Sequence, residues 1–346
     1  MFDRHTLHML SLGERKNKSD IKNILDPKNI PPFRRIEDSR LKNIASAIKK
    51  AREHKRPVII AFGAHLVKNG LSLIVADLIN KKYITHLATN GAAPIHDWEI
   101  AYQGKTEEDV RYYLERGQFG LWEETGKYIN LALISGALYN KGYGESLGEM
   151  IHHDTITISE NISPVLRKKL EQSGISIPST FSVNHLYKEF SLLSAAYVHK
   201  IPITIHPHFG HDIIYTHPLS DGASIGACAE TDFLKFTQSF SDLEGGVYLS
   251  IGSSIMSPMI FEKSLSMARN VAHQENRTIK DFMIVVNDIQ EGEWDWNSDK
   301  EPSKNDPAYY LRFCKTFHRA GARELHYIQA DNRDFLLNLY NLLKNA

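Results

Sequence analysis

Short apolar runs, each closed by a turn and followed by a stretch with helical spacing, recur along most of this chain. They occupy residues 57–62, 84–88, 129–134, 201–205, 247–251, 282–286 and 324–328. Each is too short for an ordinary buried helix, and their continuous Val, Ile and Leu content is that of parallel strands covered on both faces. Between residues 36 and 54, apolar positions fall at Leu41, Ile44, Ala45 and Ile48, with lysines and arginines elsewhere, which predicts an amphipathic helix before the first strand. The expectation is α/β, a Rossmann-like parallel sheet with helices on both faces. Residues 1–36 are polar and basic and read as an N-terminal arm, leaving 37–346 as a single nucleotide-binding domain.

In open parallel sheets ligands bind beyond the carboxyl ends of the strands. The residues that follow the runs are Gly63-Ala64-His65, Thr89-Asn90-Gly91, His206-Pro207-His208-Phe209-Gly210-His211-Asp212, Gly252-Ser253-Ser254, Asn287-Asp288 and Ala330-Asp331. Strand-to-helix turns favour such residues for backbone reasons alone, so the set as a whole carries the expectation. Gly142-Tyr143-Gly144 does not directly follow a strand and reads as a flexible turn rather than a dinucleotide fingerprint.

Composition narrows the partners. Lys plus Arg and Asp plus Glu number 41 each, so no net field draws the chain to nucleic acid or to an anionic membrane. Cys228 and Cys314 are the two cysteines and form no CxxC pair, which points to a reducing compartment, and the N-terminus shows no secretory pattern. A cytoplasmic protein with a small-molecule ligand is expected. P-loop and GxSxG motifs are absent.

The segment Ala61-Phe62-Gly63-Ala64-His65-Leu66-Val67-Lys68-Asn69-Gly70-Leu71 resembles the first nucleotide-binding turn of the deoxyhypusine synthase and homospermidine synthase family. Thr89-Asn90-Gly91 is similar to that family's Thr-Ala-Gly, with Asp97 and Glu99 supplying later acids. Lys200-Ile201-Pro202-Ile203, Gly210-His211-Asp212-Ile213-Ile214, Gly252-Ser253-Ser254-Ile255, Asn287-Asp288-Ile289-Gln290-Glu291 and Ala330-Asp331 resemble further family motifs in the same order. The resemblance implies a deoxyhypusine-synthase-like fold, NAD at the strand ends, a cationic amine or polyamine-like substrate and a homo-oligomer. The family's imine-forming lysine has no counterpart. Pro307-Ala308-Tyr309-Tyr310-Leu311-Arg312-Phe313 stands in its place, and Lys315, two positions on, would face about 200° away on a helix.

NAD-dependent oxidation or group transfer on an amine is therefore expected, distinct from standard deoxyhypusine synthesis. Asp212 and Glu99 would orient the cation and His65, His96 or His208 would move protons. Cofactor contacts are expected from Gly63, Ala64, Thr89, Asn90, Gly91, Gly252, Ser253, Ser254, Asn287, Asp288, Ala330 and Asp331. Two alternatives stand beside this reading. One is a metal centre at His206, His208, His211 and Asp212, since residues two apart in an extended segment share a side. The other is a nucleotide-binding protein without catalysis. The acidic stretch 290–306, with Trp294 and Trp296, could also hold a cation between aromatic faces.

Overall fold

The computed structural model describes residues 2–344. The chain divides into two compact units, one formed by residues up to Ile24 with Asn90–Asp232, the other by Leu25–Thr89 with residues from Phe233 onward.

The second unit carries five parallel strands: β1 (Val58–Phe62), β2 (His86–Thr89), β3 (Val247–Ile251), β4 (Met283–Asp288) and β5 (Glu324–Gln329). Their hydrogen-bonded order is β5-β4-β3-β1-β2. All five residues of β1 and of β3 are buried, as strands covered on both faces require. Alternate residues divide the sheet between two helical layers. Ile59, Ala61, Tyr248, Ile284, Val286, Leu325 and Tyr327 join one core with Phe261, Leu265 and Ala268, and with Phe313 and Phe317. Those partners lie on the helices Met256–Gln274 and Arg312–His318. Three helices pack together on the remaining side: α1 (Arg40–Glu53) on β1 and β3, and α3 (Asn332–Lys344) on β4 and on α2 (Ser72–Asn80). The parallel α/β expectation is met, and the strand boundaries shift by one or two residues.

The acidic segment 290–306 holds its two tryptophans against the core. Trp296 is 3% exposed in the core and Trp294 packs against it, its indole donating to the Lys300 carbonyl. Asn297 exchanges hydrogen bonds with Leu325 and pins the loop to β5. Burial of the Trp296 ring anchors the segment through its apolar surface.

The first unit is mostly helical. The run at 129–134, expected as a strand, is the centre of the helix Glu123–Leu138, in which Ile129 through Ile134 are all buried. A helix buried all round has the same local composition as a buried strand, so periodicity could not separate them. The expected turn at Gly142–Gly144 instead begins the helix Tyr143–His153. A Cβ on Gly144 would lie 1.7 Å from the Ile203 carbonyl oxygen, so close packing on the strand Ile203–Ile205 accounts for the glycine. Asp232, 1% exposed, accepts the Gly144 and Ile205 amides and ties strand to helix.

Residues of the expected N-terminal arm pack here too. Asn17–Asp20 pairs antiparallel with Lys105–Glu108, and Arg15 reaches Glu99 in a two-pronged ion pair of 2.8 and 2.6 Å. Both residues are buried, so each charge depends on the other. Glu99→Gln leaves the Arg15 guanidinium buried and uncompensated. The expected cost is about 3–5 kcal/mol, read as a lower urea midpoint, and an unchanged midpoint would contradict this account.

Candidate functional site

Strand order in the second unit reverses between β1 and β3, because β1 connects to β2 on one side while β3 pairs on the other. Ligands of open α/β sheets bind at such a switch point. The carboxyl ends of β1 and β3 carry Gly63 and Gly252. A Cβ on Gly63 would stand 2.2 Å from the Gly252 carbonyl oxygen, so no side chain fits where the two turns meet. Gly252 has a φ of +55°, the left-handed region that glycine enters without strain.

A polar floor supports these turns. Asn287, 1% exposed, donates from Nδ2 to the carbonyls of Ile328 and Ala330 at 3.1 and 2.9 Å. Its Oδ1 is buried without a hydrogen-bond partner. The Asn69 amide donates to Asn332 Oδ1 at 2.7 Å, and Ser253 Oγ accepts the Ser257 amide in the first turn of Met256–Gln274. Thr89 closes the floor by donating to the Phe62 carbonyl at 2.7 Å.

Other expected cofactor positions surround these. Asp288 and Asp331 each accept a backbone amide two residues on, from Gln290 and Arg333, and stand at the ends of β4 and β5. Ala64 and Ser254 are half-buried in the turns, and His65 is exposed. Lys315 lies with its Nζ 3.6 Å over the Tyr309 ring, while Phe313 and Phe317 of its helix face the core.

The residues present fit a dinucleotide. The close Gly63–Gly252 approach lets a diphosphate meet bare backbone, Met256–Gln274 is long enough for its amino end to favour an anion, and Asn287 Oδ1 is an unsatisfied acceptor. Asp288 and Asp331 add carboxylates suited to ribose hydroxyls.

The first unit holds the remaining expected residues, and its buried acids fall into two kinds. Glu99 is saturated: besides Arg15 it accepts Thr106 Oγ1 at 2.6 Å and Thr125 Oγ1 at 2.9 Å. Burial alone would raise its carboxyl, but the Arg15 guanidinium and these bonds hold it below the usual range. His96 pairs with Thr106 in the same network. Asp97 caps the helix Leu192–Val198, accepting Ser191 Oγ and two amides, while burial raises it to about 6. Asn90 accepts the Ala92 and Ala93 amides at the start of Ala92–Gln103.

Asp212 is different. Its Oδ2 is buried without a hydrogen-bond partner, and burial lifts the carboxyl to about 6, with His211 pulling the other way. Gly91 leaves it room, since a Cβ there would be 2.0 Å from Oδ2. The hydroxyls of Tyr143 and Tyr215 and the Oδ1 of Asn130 are likewise buried and unpartnered. Burial raises both tyrosines, and the Asp212 charge adds to the effect in each. Tyr215 and Asn130 carry no motif, and Tyr143 stands in the Gly142–Gly144 segment read as a turn.

The metal alternative at His206, His208, His211 and Asp212 finds no support. Among the described residues no group of three or more His, Cys, Asp or Glu could hold a metal ion. His206 Nε2 pairs with Thr204 at 3.0 Å, and burial, with the nearby His208, lowers it to about 3. His208 and His211 stack on each other, 5.0 Å between centroids, instead of converging on a point.

No family model matches the sequence, and no curated protein matches it. Similar solved structures include a protein designated a deoxyhypusine synthase from Entamoeba histolytica, at 10% identity and TM-score 0.47, covering 90% of this chain and 89% of its own. They also include ArgZ, an arginine dihydrolase from cyanobacteria, at 14% identity and TM-score 0.45 over 90% of this chain. AgrE in complex with ornithine and NAD+ aligns at 15% identity and TM-score 0.44 over 92% of this chain. The chain spans about a third of the length of ArgZ and AgrE, 33% and 35%. No helix among the described residues is long and apolar enough to cross a membrane.

Asp212 makes a stability prediction with a definite sign. Its folded carboxyl titrates near 6 rather than 3.8, so the native state holds the proton more tightly and stability falls as pH rises between those values. Asp212→Asn is expected to match the parent near pH 4 and to exceed it above pH 7 by about 3 kcal/mol. Urea unfolding at both pH values checks this; a variant less stable at high pH contradicts it.

Proposed function

We propose that this protein binds NAD at the strand-end crevice of its second unit and carries out oxidation or group transfer on a cationic amine. The observation that supports the cofactor half most strongly is Gly63 against Gly252 at the switch point, where a Cβ would stand 2.2 Å from backbone. Gly63, Gly252, Ser253 and Ser254 would hold the diphosphate, Asp288 and Asp331 the ribose hydroxyls, and Asn287 the remaining polar edge. NAD, when bound, supplies a hydride acceptor.

The amine half rests on Asp212. A protonated amine brings several N–H donors, and Asp212 Oδ2, Asn130 Oδ1 and the tyrosine hydroxyls are buried acceptors without partners. Glu99, neutralised by Arg15, would contribute through the fold and not as a ligand to the cation. The absence of a lysine in the family position argues for transfer or oxidation that does not pass through an enzyme-bound imine.

Calorimetric titration with NAD tests the cofactor. Ser254→Glu places a carboxylate before the amino end of a long helix, where it is compatible with the fold but repels a diphosphate. It is expected to weaken NAD by at least about tenfold with no fall in melting temperature. Absence of heat from the parent protein with NAD would overturn the reading. The amine half has its own test. Spermidine affinity should rise as pH increases through about 6, where Asp212 ionises, and that dependence should vanish in Asp212→Asn. A pH-independent affinity in the parent protein contradicts it.

A further inference from the structure

A cavity of about 420 Å³ lies between the helix Met256–Gln274 and the end of the helix Arg312–His318, inside the second unit. Ser266, Arg269, Asn270 and His273 come from the first helix, at spacings of three and four residues that place them on one face. Thr316 and Arg319 come from the end of the second, and Leu265 and Ala320 supply an apolar floor. Arg269 stands about 20 Å along the helix axis from Met256, so the cavity is distinct from the strand-end crevice at the other end of the same helix.

The polar groups of the lining are mostly donors, and one cation among them lacks a counter-ion. Arg269 is half-buried and donates Nε to the Ile279 carbonyl at 2.9 Å. Among the described residues no carboxylate pairs with it, and its two Nη atoms make no hydrogen bond. Burial pushes the guanidinium down from its ordinary value. The Glu244 charge acts the other way, but that carboxylate already accepts the Lys280 and Asp281 amides. Arg319 gives Nε and Nη2 to Glu301 and keeps Nη1. The Ser266 and Thr316 hydroxyls make no hydrogen bond, and Asn270 accepts from Gln274 through Oδ1, which leaves its Nδ2 unused. Glu262, the carboxylate of the lining, is answered by Lys263.

We propose that this cavity binds a small phosphorylated metabolite, its phosphate on Arg269 and its carbon skeleton over Leu265 and Ala320. A half-buried guanidinium without a counter-ion has lost solvation that no partner returns, and an oxyanion restores the balance. A phosphate takes two N–H groups of a guanidinium in a planar fork and keeps oxygens for the hydroxyls and the Asn270 amide. The volume is that of a small-ligand pocket, so more than the bare anion fits. The negative end of the helix dipole acts within the last turn, beyond Arg269, and does not oppose an anion there.

Calorimetric titration of the full chain with phenyl phosphate and with inorganic phosphate, at constant ionic strength, tests this. The strand-end crevice also suits a phosphate, so the titration is repeated in Ser254→Glu, which repels anions there and leaves the cavity as it is. Saturable binding is expected to persist in Ser254→Glu, with phenyl phosphate the tighter ligand because its ring covers the apolar floor. Ser266→Glu sets a carboxylate one helical turn from Arg269 and should weaken phenyl phosphate by at least about tenfold. Its circular dichroism and melting temperature should match the parent's, since Ser266 is exposed. Arg269→Gln should weaken the ligand equally, and NAD titrations should be the same in both variants as in the parent, whether or not NAD binds. Absence of saturable binding in Ser254→Glu, full affinity in Ser266→Glu, or phenyl phosphate no tighter than inorganic phosphate would each overturn the proposal.

Discussion

The approach of Gly63 to the Gly252 carbonyl is the constraint on which the candidate cofactor site depends. Two parallel strands lie side by side at the point where strand order reverses, and the turns that follow them must share space a single methyl group would fill. Bare backbone is the one solution: the Gly63 and Gly252 amides bond the Ile251 and Asn287 carbonyls, and Gly252 stands exposed at the strand end. Beneath them Asn287 spends its Nδ2 hydrogens on the Ile328 and Ala330 carbonyls and leaves its oxygen unsatisfied. A buried acceptor without a partner carries a desolvation cost that a bound donor would relieve.

The first unit shows the same logic applied to charge. Four of its carboxylates are held in three different ways. Glu99 is neutralised by a guanidinium, while Asp97 and Asp232 are satisfied largely by backbone amides. Asp212 leaves one oxygen with no hydrogen bond at all. The first two arrangements hold a fold together; the third costs stability and suits an acid reserved for a ligand. Sequence alone treats all four as acids near turns.

That difference marks what was legible before the structure. The strand at 247–251 is legible because a short, mostly apolar run closed on both sides by glycine has few other meanings. The run at 129–134 is not legible as a helix, because a fully buried helix loses its polar face, and with it the 3.6-residue signal. Gly63 and Gly252 were found because strand-end glycines have a backbone reason to be there. The role of Glu99 was hidden, since its partner Arg15 lies 84 residues away in a segment that looks like a loose arm. Tyr143 was hidden for the same reason, since it lies 69 residues from the Asp212 charge that bears on it.

A crystal structure of the full chain grown with NAD tests the central claim most directly. The account predicts the diphosphate against the backbone of Gly63 and Gly252, with a hydrogen-bond donor of the ligand, or a water it orders, on Asn287 Oδ1. Density for NAD away from the ends of β1 and β3, or none at saturating concentration, would contradict it.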